Sequence, residues 1–208
     1  MFESVLAGVS RESLNFLAAS PFLNQFYLAD GTGCALHLGH RISEDLDFFS
    51  ETSFSLIGIR RVLQKFGTFI TDYSDSQTLV GRFNTTKVGF FQYPYPLVQN
   101  TQVYEKVQVA SIEDIGCMKI DTISSRGKKR DFVDLYFILK SRNTGLRQLF
   151  DFFELKYRAG SHNVYHILKS LVYFDDAEND PDPHMIVEFS WDDLKRFFEH
   201  QVTDFKIP

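Results

Sequence analysis

The sequence predicts an α/β fold: a small mixed β-sheet with flanking helices, followed by a helical C-terminal region. Three observations carry this. Residues 26–49, FYLADGTGCALHLGHRISEDLDFF, run strand, glycine turn, short helix, loop, strand. Residues 68–93 hold three strand-like runs, the last two joined by Thr85-Thr86 as a hairpin turn. Beyond Gly145 the apolar residues recur at helical spacing. Residues 1–142 are expected to carry the sheet and residues 143–208 to pack on it, and 208 residues suffice for a substantial core.

In chain order, Ser10 to Ala19 is a short amphipathic helix with Ser10 as N-cap, interrupted by Pro21. Tyr27-Leu28-Ala29 is an apolar strand running into the turn Asp30-Gly31-Thr32-Gly33, with a helix through Cys34-Ala35-Leu36-His37-Leu38. Leu56 to Phe66 has helical periodicity, with Arg60, Arg61 and Lys65 on a solvated side. Strands follow at Thr68–Tyr73, Thr78–Asn84 and Lys87–Tyr93, and Tyr93-Pro94-Tyr95-Pro96 makes a rigid extended exit. Ser111 with Asp114 forms a capping box for a helix that stops at Arg126-Gly127. From Arg130 another helix carries the apolar stripe Phe132, Leu135, Tyr136, Leu139. Asp131 and Asp134 lie partly buried on its flank, with Arg126, Lys128, Lys129 and Arg130 as nearest partners. Helices Gly145–Arg158, Asn163–Phe174 and Trp191–Phe205 complete the chain. The acidic stretch Asp175–Pro183 between them lacks a calcium-loop pattern and reads as solvated loop.

The chemistry concentrates in residues 26–49. Side chains two apart on a strand share a face, so Asp45 and Asp47 project together while Leu46 and Phe48 face the core. Two carboxylates this close repel unless a cation neutralises them, and a hard divalent ion such as Mg²⁺ or Mn²⁺ suits oxygen ligands. At the other end, backbone N–H groups at a helix start cradle phosphate, and Gly31 lets the chain approach closely beside Thr32. A phosphate cradle facing a metal-binding carboxylate pair suits phosphoryl or nucleotidyl transfer. It is not a P-loop, because no Gly-Lys-Ser/Thr follows.

Composition sets the boundaries of this reading. A net charge of -5 supplies no global basic field, so any nucleic acid would need a local basic patch. The 22 Phe demand large buried faces or partner surfaces. Cys34 and Cys117 sit in apolar helical patterns, as free thiols in a reducing compartment do. The six histidines show no zinc-ligand spacing with them. With no signal peptide and no apolar run of membrane-spanning length, a cytoplasmic location with no membrane association is expected.

The stretch ADGTGCALHLGHRISEDLDFF resembles the signature of the AbiEii/AbiGii nucleotidyltransferase toxin family, within the DNA polymerase β-like nucleotidyltransferase superfamily. That family shows Gly-Gly-Thr-Ala-Leu and then His-Arg-x-Ser-x-Asp-Leu-Asp-Phe-Phe. Here Asp30 replaces the first glycine and Gly33-Cys34 replace Ala-Leu, while Gly31, Thr32, Arg41, Ser43, Asp45 and Asp47 match. Residues 119–139 resemble the family's second signature, a lysine followed by Arg-Gly-Lys-x-Arg-Asp-Phe-x-Asp-Leu-Tyr. The resemblance implies a sheet of nucleotidyltransferase type. It implies transfer of a nucleoside monophosphate from an NTP to RNA, such as a tRNA end, or to protein. The chain would be the toxin of a toxin–antitoxin or phage-defence pair, with a separately encoded antitoxin. By carry-over, Asp45, Asp47, Lys119 and Asp134 are the catalytic set. Lys119 would contact the triphosphate, and Asp134 would position a metal, nucleotide or acceptor. Gly31, Thr32, Arg41 and Arg130 would bind nucleotide or phosphate, Arg41 and Arg130 being alternatively structural ion-pair partners; Ser43 and Asp131 would support them. One departure stands out: the superfamily often places a third carboxylate on the returning strand, where KVGFFQY has none. With Asp30 in place of glycine, this keeps open a catalytically weak, nucleotide-binding regulatory or partner-binding protein. A metal-dependent nuclease, also built on clustered carboxylates, is a third reading.

Overall fold

The computed structural model describes residues 1–142, 145–158, 160 and 162–206. Helix α1 spans Gly8–Ala18, β1 Tyr27–Leu28, α2 Asp30–Leu38, β2 Leu46–Ser50 and α3 Leu56–Phe66. Strands β3 Phe69–Ser74, β4 Thr78–Phe83, β5 Thr86–Gln92, β6 Gln102–Tyr104 and β7 Val107–Val109 follow. The remaining helices are α4 Ile112–Arg126, α5 Lys129–Arg142, α6 Leu146–Lys156, α7 Val164–Ser170, α8 Asp175–Glu178 and α9 Trp191–Thr203.

The strands make one mixed sheet in the order β3-β4-β5-β2-β1-β7-β6. The β2–β5 and β1–β7 pairs are parallel and the others antiparallel. Strand β2 therefore lies centrally, between β5 and β1. Its inward residues Leu46 and Phe48 are fully buried, as the alternation requires, and the intervening Asp47 stays half-buried on the other face. Helices α1 and α3 cover the apolar face, where Leu14, Leu17, Ile59 and Leu63 meet Phe48, Leu79, Phe83, Val88 and Phe90. Phe90 stacks on Phe48 and takes Phe22 and Phe26 edge-on, which accounts for part of the phenylalanine load.

Several local expectations change. Ser10 does not cap α1 but lies inside it, buried, and donates to the Glu44 carbonyl at 2.8 Å. The Asp30-Gly31-Thr32-Gly33 stretch is not a turn ahead of α2 but its first turn. The β6–β7 hairpin has no counterpart in the sequence reading, because three-residue strands are too short to display a period. The cap at Ser111 forms as expected and Ser190 caps α9, each side chain accepting the amide three residues on.

The helical core joins α4 and α5 to α6, α7 and α9. Ile120, Ile123, Phe132, Leu135 and Leu139 pack with Leu149, Phe150, Phe153, Leu168, Leu194 and Phe198. Of the expected division at 142/143, residues 143 and 144 lie outside the described residues. A seam containing Ala29, Cys34, Ile112, Ile115 and Ile138 joins this core to the sheet. Both cysteines are buried and free. Among the described residues, no helix is long and apolar enough to cross a membrane.

Candidate active site

The start of β2 and the start of α2 are brought together by one backbone bond, Ala29 N–H to the Asp47 carbonyl at 3.1 Å. Around this junction opens a cavity of about 570 Å³, lined among others by Asp30, Gly31, Thr32, Asp45 and Asp47. Cations ring it: Arg41, Lys87, Lys119, Lys128 and Arg130 all contribute to its wall. A local basic set thus exists within a chain of negative net charge.

The first-turn amides of α2 have no carbonyl within the helix to bond and form its positive end. Gly31 is required by packing rather than by φ, since a Cβ there would lie 2.5 Å from the Arg41 guanidinium. Thr32 is buried, and its hydroxyl bonds Ser43 Oγ at 2.8 Å and the Asp45 carbonyl. Thr32 and Ser43 accordingly tie the loop before β2 to α2 and set where Asp45 and Asp47 stand. Asp45 lies 3.9 Å from Arg130, which is 46% exposed at the rim.

Asp47 is the carboxylate of the pair whose charge the site opposes. Burial, then the charges of Asp30 and Asp45, push its carboxyl up to about 7, with Lys87 and Arg130 only partly offsetting them. In the parallel register Asp47 faces Gly89 on β5, and a Cβ on Gly89 would sit 2.7 Å from Asp47 Oδ1. No third acid fits at that position. A further carboxylate whose charge reaches Asp47 is Asp30, which opens α2 at φ +52°.

Below the cavity floor lies a buried ionic cluster. Asp134 is 0% exposed and accepts from Arg41 Nε at 2.7 Å, Arg41 Nη2 at 2.9 Å and His40 Nε2 at 2.9 Å; it also pairs with Lys119 Nζ at 2.8 Å. Burial alone would raise its pKa, but Arg41 and Lys119 outweigh it and hold the carboxyl well below the usual range. Lys119, 1% exposed, also pairs with Asp131 at 2.8 Å and with Asp30. Burial opposes its charge, yet Asp134, Asp30 and Asp131 together raise the ammonium well above its ordinary value. The partners expected for Asp131 and Asp134 are therefore corrected: they come from α4 and the loop after α2, and the burial, partial in the sequence reading, is complete for both acids. A cation approaching from across the fold is invisible to helix spacing.

Two wall elements were missed. Lys87 on β5 occupies cavity wall two residues before Gly89, where only an absent acid was sought. The acidic stretch is not simply solvated loop: it opens with α8, and Asp180, Pro181, Asp182, Pro183 and His184 line the cavity. Lys129 fastens it, its amide donating to Asp180 and its ammonium pairing with Asp182 at 3.1 Å. Beyond it, Ile42 N–H donates to the His184 carbonyl, and Ile186 N–H to the His40 carbonyl.

A helix N-terminus and cations facing paired carboxylates at the start of a neighbouring central strand is the layout of nucleotidyl transfer, and the chain is a nucleotidyltransferase. It belongs to the AbiEii nucleotidyl transferase toxin family of type IV toxin–antitoxin systems, whose model matches residues 92–206. That span holds Lys119 and Asp134 but not the β2 carboxylates. An uncharacterized protein of Aquifex aeolicus is 34% identical over 199 residues, covering 94% of this chain and 95% of its own length. Two solved structures share the fold. JHP933 of Helicobacter pylori has 19% identity and a TM-score of 0.53, covering 95% of this chain and 92% of that one. The MenT4 nucleotidyltransferase toxin of Mycobacterium tuberculosis has 13% identity and a TM-score of 0.59, covering 95% and 84%.

Proposed function

We propose that this chain moves a nucleoside monophosphate from an NTP to an RNA or protein acceptor in the cytoplasm, with Asp45 and Asp47 as ligands of Mg²⁺ or Mn²⁺. One observation carries the reading: Asp47, pushed up to about 7 beside Asp45 and Asp30 in a cavity walled by cations. A hard divalent ion relieves both the repulsion and the desolvation that cause the shift, so the residues present fit the group. When bound, that ion would neutralise triphosphate charge and align the attacking oxygen.

The remaining work falls to the chain. The α2 amides at Gly31 and Thr32 receive phosphate oxygens, and Lys87, Lys128 and Arg130 offset the polyphosphate charge. Arg41, engaged by Asp134 and the Ile42 carbonyl, serves as a brace under Gly31 rather than as a phosphate ligand. Asp134 and Asp131 hold Lys119 and Arg41 in place from below. The acceptor oxygen forms a bond to the α-phosphorus as the bond to pyrophosphate breaks. Toxicity would be controlled by a separately encoded antitoxin.

The test uses labelled ATP, CTP, GTP and UTP with Mg²⁺ and total bacterial RNA, following label into RNA and into protein. Incorporation by the wild type, reduced at least about a hundredfold in Asp45→Ala/Asp47→Ala, is expected. Equal incorporation by both proteins would remove the metal assignment. NTP binding without any incorporation would favour a nucleotide-binding regulatory protein.

A further inference from the structure

Lys119 and its partners suggest how nucleotide gains access to the site. An ammonium has three N–H donors. Three carboxylates surround this one: Asp131, which accepts from it at 2.8 Å, and Asp134 at 2.8 Å and Asp30 as ion-pair partners. Of the three, Asp30 is the one that lines the cavity.

The three acids are not equivalent. Asp131 and Asp134 are buried on α5, at 1% and 0% exposure, whereas the Asp30 side chain is 26% exposed and lines the cavity. Lys119 and Arg41 already balance Asp131 and Asp134, so the buried cluster is neutral without Asp30. Its backbone also sits at φ +52°, a conformation glycine adopts without strain and most other residues resist. Aspartate tolerates it better than most, but local geometry alone would favour glycine there. The carboxylate at this position therefore calls for a reason beyond the turn.

We propose that the Asp30 carboxylate occupies the position on Lys119 that a phosphate oxygen takes, so that a triphosphate enters by exchanging with Asp30. This rests on the nucleotide reading of the cavity given above. The exchange replaces one anion by another beside a cluster already neutral. Asp131 and Asp134 stay in place, and Asp30 is the only one of the three that an incoming ligand can reach. The contact lowers affinity for bare polyphosphate and reserves Lys119 for a ligand able to compete for it.

The experiment is calorimetric titration of the full chain with inorganic triphosphate in the presence of EDTA. Wild type is compared with Asp30→Asn, with Asp30→Gly, which suits the left-handed backbone, and with Glu44→Gln, which removes another cavity carboxylate. Both Asp30 variants are expected to bind triphosphate about tenfold more tightly, as loss of a single competing contact of about 1.4 kcal/mol would give. Glu44→Gln is expected to gain less than about twofold, since an exposed charge acts only through screened Coulomb forces. An equal gain in all three variants would reduce the effect to general charge removal, and unchanged or weaker binding in the Asp30 variants would show that Asp30 does not compete; either overturns the proposal. Absence of triphosphate binding in every protein, in EDTA and again with Mg²⁺ added, with circular dichroism showing each folded, would overturn the nucleotide reading itself and the exchange with it.

Discussion

Asp47 places a carboxyl at about 7 on the central strand, against its ordinary 3.8, and the consequence for stability has a definite sign. Below about pH 4 the group is protonated in both folded and unfolded chains. Between there and about 7 the unfolded chain releases its proton while the folded chain keeps it, so this group lowers stability as pH rises. Asp47→Asn is therefore expected to raise the melting temperature at pH 8 and to do so far less at pH 4.5, measured by differential scanning calorimetry without divalent cations. An equal shift at both pH values would mean that packing, not charge, distinguishes the variant. At this scale the sequence discloses a great deal. The residue types single out Asp45 and Asp47, which line one cavity although β2 begins only at Leu46, and Gly31-Thr32 mark the start of α2. It does not disclose that Asp30 takes a positive φ and reaches Lys119, because both depend on where α4 passes.

Among the elements, α4 is the one that fixes the most. Its N-terminus is capped by Ser111, and its first turn carries Asp114, buried at 0% exposure. Asp114 accepts from the amides of Val98 and Gln99, from Ser111 Oγ, and from Lys156 Nζ at 2.8 Å on α6. One carboxylate thus joins the loop after β5, the start of α4 and the end of α6. Removing it leaves Lys156 as an uncompensated buried cation, so Asp114→Ala is expected to cost about 3–5 kcal/mol in urea denaturation. A loss under about 1 kcal/mol would mean that water enters and compensates. The capping box at Ser111 was evident from residue types; the tie to Lys156, 42 residues on, was not. The same holds for β6 and β7, whose three-residue runs carry too little pattern to be told from loop.

Taken as a whole, the molecule has two cores and one site between distant parts of the chain. The helical core draws α4 and α5 together with α6, α7 and α9, so residues 1–142 alone would expose Ile120, Phe132, Leu135 and Leu139. A chain truncated after residue 142 is expected to lack cooperative thermal unfolding and to bind a hydrophobic dye. A sharp calorimetric transition from that fragment would instead establish an independent sheet domain. Long-range closure is also why Asp175–Pro183 read as solvent-facing. Its acids and prolines carry no trace of Lys129, and its continuation is recruited through main-chain bonds to His40 and Ile42, which no side chain announces.

That closure bears on how a cell makes such a protein. Asp45, Asp47 and α2 are synthesised early, but the wall at Asp180–His184 comes from near the other end of the chain. Folding during synthesis proceeds from the N-terminus, so the pocket stays unwalled on that side until this stretch leaves the ribosome. A translation product arrested before residue 180 would carry Asp45 and Asp47 yet lack one side of the cleft.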